Sequence, residues 1–341
     1  MMFDANQIGM PNGNYFALPF SVEDAALALV AAPWDVTTSY SAGTAGAPAA
    51  LLDASAQIDL YDLVYGDFWQ QGIGTVPLAN KWLQQSAAMR KQAQKVIAML
   101  EKEVDKNHPR LRSLLQKVND ASAQFNSYVY HTTRALLQQN KRVGLVGGDH
   151  STPFGYLRAL AEQHSQWGIL HIDAHADLRQ AYEGFEYSHA SIMYNVLKHL
   201  PQVARIVQVG IRDLCSDEVT LAQNDARVVQ FNSYAIAQNE FCGGNWATLC
   251  KKIVDELPQK VYVSFDIDGL SPDNCLHTGT PVPGGLSFLQ ACYLLQQLSE
   301  AGKTVIGFDL CEVCPHPHSN IDVIVGARML YKLCGCLLSS K

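Results

Sequence analysis

Charge is scarce in this chain. Of its 341 residues only 17% are Asp, Glu, Lys or Arg, against about a quarter in an average soluble domain. With 48% hydrophobic residues, that deficit excludes a largely disordered chain and points to a large buried core, a self-associating surface, or both. Basic tracts are also absent. The 25 Lys+Arg against 32 Asp+Glu give a formal net charge of −7, which argues against nucleic acid as a partner. No window reaches about 18 uncharged apolar residues, so neither a membrane span nor a membrane partner is expected. Met1 to Tyr15 lacks a positive stretch followed by an apolar one, and no signal peptide is expected there. No cysteine precedes Cys215, and the nine present are an odd number. That does not read as a secreted disulfide framework, and a reducing cytoplasm is the expected location.

Short apolar runs recur along the chain, each ending in Gly, Asp or Pro: Ala26–Pro33, Arg142–Gly148, Gly168–Asp173, Ala204–Gly210, Val261–Asp266 and Thr304–Asp309. Stretches with helical spacing lie between them, among them Pro153–His164, Ser188–His199, Ala247–Leu257 and Leu286–Ala301. Short strands apolar on both faces, alternating with amphipathic helices, predict an α/β fold around a mostly parallel sheet covered on both sides. Lys81–Lys106 and Leu111–Gln139 are longer, rich in Gln, Lys and Ala, and separated by Asn107-His108-Pro109. They predict a helical hairpin inserted between the first and second core strands, a surface elaboration or subunit contact. No repeat or Gly/Ser linker interrupts the chain, so a single domain over 1–341 is expected, with about 65–138 as helical elaboration within it.

Three strand ends carry the chemistry. The first is His171-Ile-Asp173-Ala-His175-Ala-Asp177, in which alternate side chains share a face. The second is Asp266-Ile-Asp268 after an apolar run, and the third is Gly147-Gly148-Asp149-His150-Ser151. In parallel sheets the carboxyl ends of strands form the ligand crevice, which would gather at least two His and four Asp in one place. So many carboxylates raise one another's pKa unless a cation joins them. One fully enclosed ion is possible; two ions bridged by Asp173 and Asp266 fit the count better. Carboxylates with imidazoles suit Mn²⁺, ahead of Ni²⁺, Zn²⁺ or Fe²⁺, and paired ions generate hydroxide at neutral pH while polarising an electrophile. A two-metal hydrolase is the expectation.

These segments resemble the signature set of the arginase/agmatinase (ureohydrolase) family. Gly147–Ser151, Asp173–Asp177 and Ser264-Phe-Asp-Ile-Asp-Gly-Leu270 are similar to its metal motifs, and Thr278-Gly-Thr-Pro281 with Gly284-Gly-Leu286 to the next motif. Pro33-Trp-Asp35, Thr38-Ser39 and Gly43 to Pro48 resemble its opening loop. The resemblance covers most of the chain except the inserted helical segment. It implies a three-layer α/β/α sandwich. It also implies one Mn²⁺ on His150, Asp173, Asp177 and Asp266, and a second on His175, Asp173, Asp266 and Asp268. The implied activity is hydrolysis of a guanidinium group to urea and an amine, in a homo-oligomer, commonly a trimer or hexamer. His189, in Tyr187-Ser-His-Ala190, matches the family's proton-transfer histidine, and an imidazole suits that task. Glu312 matches the carboxylate that receives the substrate guanidinium, a planar pair that orients the group.

The substrate is less sharply marked. In arginases an acid stands two residues after the Gly-Leu-Arg-Asp motif, where this chain has Cys215. An unpartnered substrate ammonium costs about 1–3 kcal/mol, so arginine fits poorly. The Tyr182-Glu-Gly to His189 stretch is more like agmatinases, and agmatine hydrolysed to putrescine and urea is the expectation. Glu183 or Glu186 would receive its amine, and Thr280 is a further candidate contact. Arg179 would instead favour a guanidino acid such as guanidinobutyrate, and a small pocket would favour guanidine. A catalytically inactive metal-binding relative is the alternative of another class, although every matched position is filled. Cys311-x-x-Cys314 and Cys334-x-Cys336 suggest a zinc ribbon by spacing, but their apolar surroundings favour buried free thiols, and His316 and His318 read as loop surface.

Overall fold

The structure, a computed structural model, describes residues 3–340. Its strands are β1 (Leu27–Ala32), β2 (Ile73–Thr75), β3 (Arg142–Gly147), β4 (Trp167–Ile172), β5 (Val203–Val209), β6 (Val228–Phe231), β7 (Lys260–Asp266) and β8 (Thr304–Cys311). They form one eight-stranded sheet in the order β2-β1-β3-β8-β7-β4-β5-β6, and every pairing is parallel. The helices are α1 (Ala47–Ser55), α2 (Asn80–Leu100), α3 (Pro109–Gln138), α4 (Phe154–Gln163), α5 (Ile192–His199), α6 (Ser216–Asn224), α7 (Ser233–Phe241), α8 (Trp246–Asp255), α9 (Phe288–Glu300) and α10 (Ile321–Ser339).

Strand alternation splits the core in two. Leu27 and Leu29 of β1 join one cluster with Leu51 of α1, Ile253 of α8, Leu294 of α9 and Leu330 of α10. Ala28 and Val30 point the other way, into a cluster with Phe125 of α3, Leu157 of α4 and Val196 of α5. Both sheet faces are thus covered, giving the expected three layers, and that explains why the central strands are apolar on both faces. The six apolar runs are all strands. The two edge strands β2 and β6 are additional. Among the described residues no helix is long and apolar enough to cross a membrane.

The long helical segment departs from its expected outline. Strand β2 lies within 65–138 and pairs with β1, so this stretch begins as sheet edge. Helix α2 ends at Leu100, and Glu103 takes a left-handed backbone (φ 54°) in the turn that follows. Helix α3 starts at Pro109 because a proline needs no amide partner in the first turn, and the His108 side chain accepts the Arg110 N–H. The two helices pack through an aromatic cluster, in which Trp34 stacks on Phe125 at 4.7 Å and Trp82 meets Trp34 edge-on.

Candidate active site

The four central strands β3, β8, β7 and β4 all deliver side chains at their carboxyl ends, where the order of connection reverses and a crevice opens. After β3 the backbone runs against the opening loop. The Asp149 N–H donates to the Trp34 carbonyl at 2.8 Å, and a Cβ on Gly148 would lie 2.1 Å from that oxygen. Glycine is required there, and the close approach aims His150 inward. After β4, Asp177 takes a left-handed backbone (φ 54°), as does Glu312 after β8 (φ 62°). Non-glycine residues seldom hold that conformation outside places where the surroundings enforce it, and functional sites are such places.

The metal-motif residues converge. His150 Nδ1 lies 3.0 Å from Asp173 Oδ2, 3.1 Å from Asp177 Oδ2 and 3.4 Å from Asp266 Oδ2. His175 Nδ1 lies 3.1 Å from Asp268 Oδ2 and 3.5 Å from Asp173 Oδ1. Asp173 therefore offers one oxygen to each group. Asp266 turns its Oδ2 toward His150, while its Oδ1 accepts the Asp268 N–H at 2.8 Å. Asp268 Oδ1 in turn accepts the Ala174 N–H at 3.0 Å.

His171 opens the motif but had no assigned role. Its Nε2 lies 2.7 Å from Asp173 Oδ2. The Gln208 amide reaches its Nδ1 at 2.9 Å and the Ala176 carbonyl at 2.7 Å. The amide donates to both, so the remaining ring N–H of His171 donates to Asp173 and fixes its carboxylate. On the far side of His150, Nε2 meets Ser264 Oγ at 2.9 Å, with the fully buried Asp309 at 3.6 Å. Gln208, Ser264 and Asp309 sit inside strands, and only the sheet register brings them to the motif.

Electrostatics favour a cation. Burial and the Asp173 charge push Asp177 up to about 6, and burial with Asp268 and Asp173 holds Asp266 well above the usual carboxylate range. Burial works against the charged imidazole of His175, but Asp268 and Asp173 outweigh it and drive His175 up to about 12. The acids thus draw positive charge onto whatever base is near. Two overlapping donor groups of carboxylate oxygen and imidazole nitrogen, His150/Asp173/Asp177 with His171 behind Asp173, and Asp173/His175/Asp268, fit hard-to-borderline divalent ions.

Glu312 stands beside the cluster. Its Oε1 accepts the His150 backbone N–H at 2.9 Å, while its Oε2 is buried with no partner. Burial and Asp149 raise its pKa well above the usual range. Such an oxygen is costly unless a donor arrives. His189 faces the cluster from the loop after Asp177. Its backbone N–H donates to Thr37 Oγ1 at 3.1 Å and its Nε2 lies 3.4 Å from Ser39 Oγ. Burial, with His175 adding to it, lowers His189 to about 3, so the ring is neutral at neutral pH.

A cavity of about 460 Å³ opens over His175, Asp177 and His189. Arg179 and Thr280 line it, together with Ser39, Tyr182, Asp213 and Glu218. Glu183 and Glu186 do not line it. Glu183 sits in a left-handed turn (φ 55°) with a buried, unpartnered Oε2 and feels the charge of Arg90 on α2. Glu186 is exposed, and Asn119 of α3 holds its backbone. Arg179 is engaged as well, with its Nε 3.4 Å from Glu218 and its guanidinium over the Tyr182 ring. The nine cysteines are all free, and Cys311, Cys314, Cys334 and Cys336 are buried. His318 is exposed, but His316 stacks on His277 at 3.9 Å and is only partly exposed.

Known proteins share the architecture of this chain. A family model described as the arginase family matches residues 25–335. The N(1)-aminopropylagmatine ureohydrolase of Synechocystis is 30% identical over 320 residues, covering 92% of this chain and 90% of the relative. The proclavaminate amidinohydrolase of Streptomyces clavuligerus is 30% identical over 313 residues, covering 89% and 87%. The solved structure of the latter superposes with a TM-score of 0.72 at 22% identity, over 98% of this chain and all of that one. A hypothetical agmatinase from Burkholderia thailandensis gives 0.71 at 23% identity, over 96% and 90%. At such identities the structural likeness speaks for the fold.

Proposed function

The chain belongs to the arginase family, and we propose that it hydrolyses a guanidino compound, most specifically agmatine to putrescine and urea. The observation that carries this is the buried, unpartnered Oε2 of Glu312 beside the His/Asp cluster. A planar guanidinium is the donor group that suits it, through paired charge-assisted hydrogen bonds. The ureohydrolase and amidinohydrolase names of relatives aligned along nearly the whole chain support the guanidino class.

His150, Asp173, Asp177 and Asp266 would hold one divalent ion, and His175, Asp173, Asp266 and Asp268 a second, with manganese as the proposed metal. Bound there, the pair supplies Lewis acidity and lowers the pKa of water to near neutrality. The protein's own residues do the rest. Glu312, fixed through Oε1, orients the guanidinium and holds its charge. His189 is neutral and takes and returns a proton as water adds to the guanidinium carbon. The bond from that carbon to the alkyl-bearing nitrogen breaks, and the amine leaves with the proton. At the rim the exposed Asp213 is the acid free to receive a distal ammonium, since Glu218 is committed to two backbone N–H groups and Arg179. The low charge content supports self-association, for which the family resemblance suggests a trimer or hexamer, and the nine free cysteines fit a reducing compartment such as the cytoplasm.

Arg179 on the cavity wall favours a second reading, a substrate ending in a carboxylate such as guanidinobutyrate. Urea release from agmatine, arginine, guanidinobutyrate and guanidine, after loading with Mn²⁺ or Ni²⁺, decides between them. Agmatine is expected to give the highest kcat/KM, with Asp213→Asn raising its KM severalfold. No urea from any of the four would overturn the activity.

A further inference from the structure

The two helices of the hairpin hold the two loops that meet at His189. From α2, Arg90 Nη1 donates to the Val36 carbonyl at 3.2 Å and also to the Thr38 carbonyl. One turn earlier, Ser86 donates to Asp35 Oδ1 at 3.0 Å and accepts the Asp35 N–H at 3.1 Å. The residues between and beside these anchors are Thr37, which accepts the His189 N–H, and Ser39, which lies against the His189 ring. Thr37 also donates to Asp149 Oδ2 at 3.4 Å, next to His150. From α3, Asn119 grips the other loop on both sides of Phe185: its amide donates to the Gly184 carbonyl at 3.1 Å and its oxygen accepts the Glu186 N–H at 3.0 Å.

We propose that Arg90 is a positioning residue of the catalytic site, which sets the 36–39 backbone so that Thr37 and Ser39 hold His189 over the metal cluster. The inserted hairpin is then a functional buttress. This rests on the role given to His189 above. Arg90 reaches neither cluster nor cavity lining; its hydrogen bonds go to the loop, and its charge is felt at His189 and Glu183 as well. One nitrogen, Nη1, serves both carbonyls, so a lysine ammonium placed there can replace it, whereas a methionine of similar length cannot.

The test compares Arg90→Met, Arg90→Lys and Asn119→Ala with the metal-loaded wild type, and uses Lys95→Ala on the exposed face of α2 as control. Arg90→Met is expected to lower kcat about 10–100-fold, the scale of a misplacement of about 1 Å, with KM and bound metal little changed. Arg90→Lys should recover most of that loss. Amide hydrogen exchange should speed up at 36–41 and also at 186–190, which Arg90 does not touch. Asn119→Ala should loosen 186–190 and lower kcat in the same sense. Wild-type kcat and exchange in Arg90→Met would overturn the proposal. So would equal losses in the Met and Lys variants that track lower Tm or lost metal. If the wild type releases no urea, the functional reading falls instead, and the exchange pattern still decides the relay.

Discussion

The floor and the rim of the site are built on different principles. The floor is a set of strand ends: His150, Asp173, Asp177, Asp266 and Glu312 leave four neighbouring parallel strands, and the sheet ladder fixes their spacing. The rim is a set of loops with no ladder of their own, held by single side chains such as Arg90 and Asn119 from the hairpin. A floor residue answers to its register, whereas a rim residue answers to whatever the chain has placed behind it.

That contrast can be broken by substitution, since damage to the metal-holding residues of the floor should appear as lost metal and damage to the rim as lost rate at full metal. Asp173→Asn removes the carboxylate shared by both donor groups. It should leave well below two ions per chain by elemental analysis and lower activity by more than the about 10–100-fold that losing an outer partner costs. Full retention of both ions would refute the shared role. His189→Asn, on the rim, should keep both ions and lower kcat by about 10²–10⁴-fold, the usual worth of general acid–base help. Equal metal loss in both variants would erase the distinction. Glu312→Gln should keep the metal and reduce kcat/KM by about 10–100-fold, matching one charge-assisted hydrogen bond of about 1.5–3 kcal/mol. A change confined to metal content would reassign it to the cluster. Gln208→Leu frees the His171 ring and should weaken metal affinity by about 10-fold with the fold intact, measured by competition with a chelator.

The same contrast explains what could be read from the residues alone. The floor was legible because each ligand follows an apolar run by a fixed spacing, and strand geometry turns that spacing into direction. The edge strands were not: Ile73-Gly-Thr75 and Val228–Phe231 are too short to show alternation, and they pair only because a neighbour is present. Helices α6 and α7 have few buried residues and correspondingly weak periodicity. At the rim, nearness in sequence misled. Glu183 and Glu186 stand close to His189 along the chain, but a left-handed turn directs one toward α2 and the other stays at the surface. Gln208 and Arg90 lie in unremarkable stretches, and long-range packing alone gives them their partners.

The parallel sheet also orders the site in time. The His150 amide meets Glu312 across 162 residues of chain, and no shorter stretch contains both the cluster and Glu312. During synthesis the first half of the site must wait, unpaired, until β7 and β8 have left the ribosome and inserted between β3 and β4. Contacts of such long sequence separation form late and slowly. Metal capture therefore belongs to the finished chain, and a truncated or stalled product would carry the aspartates without the means to hold an ion.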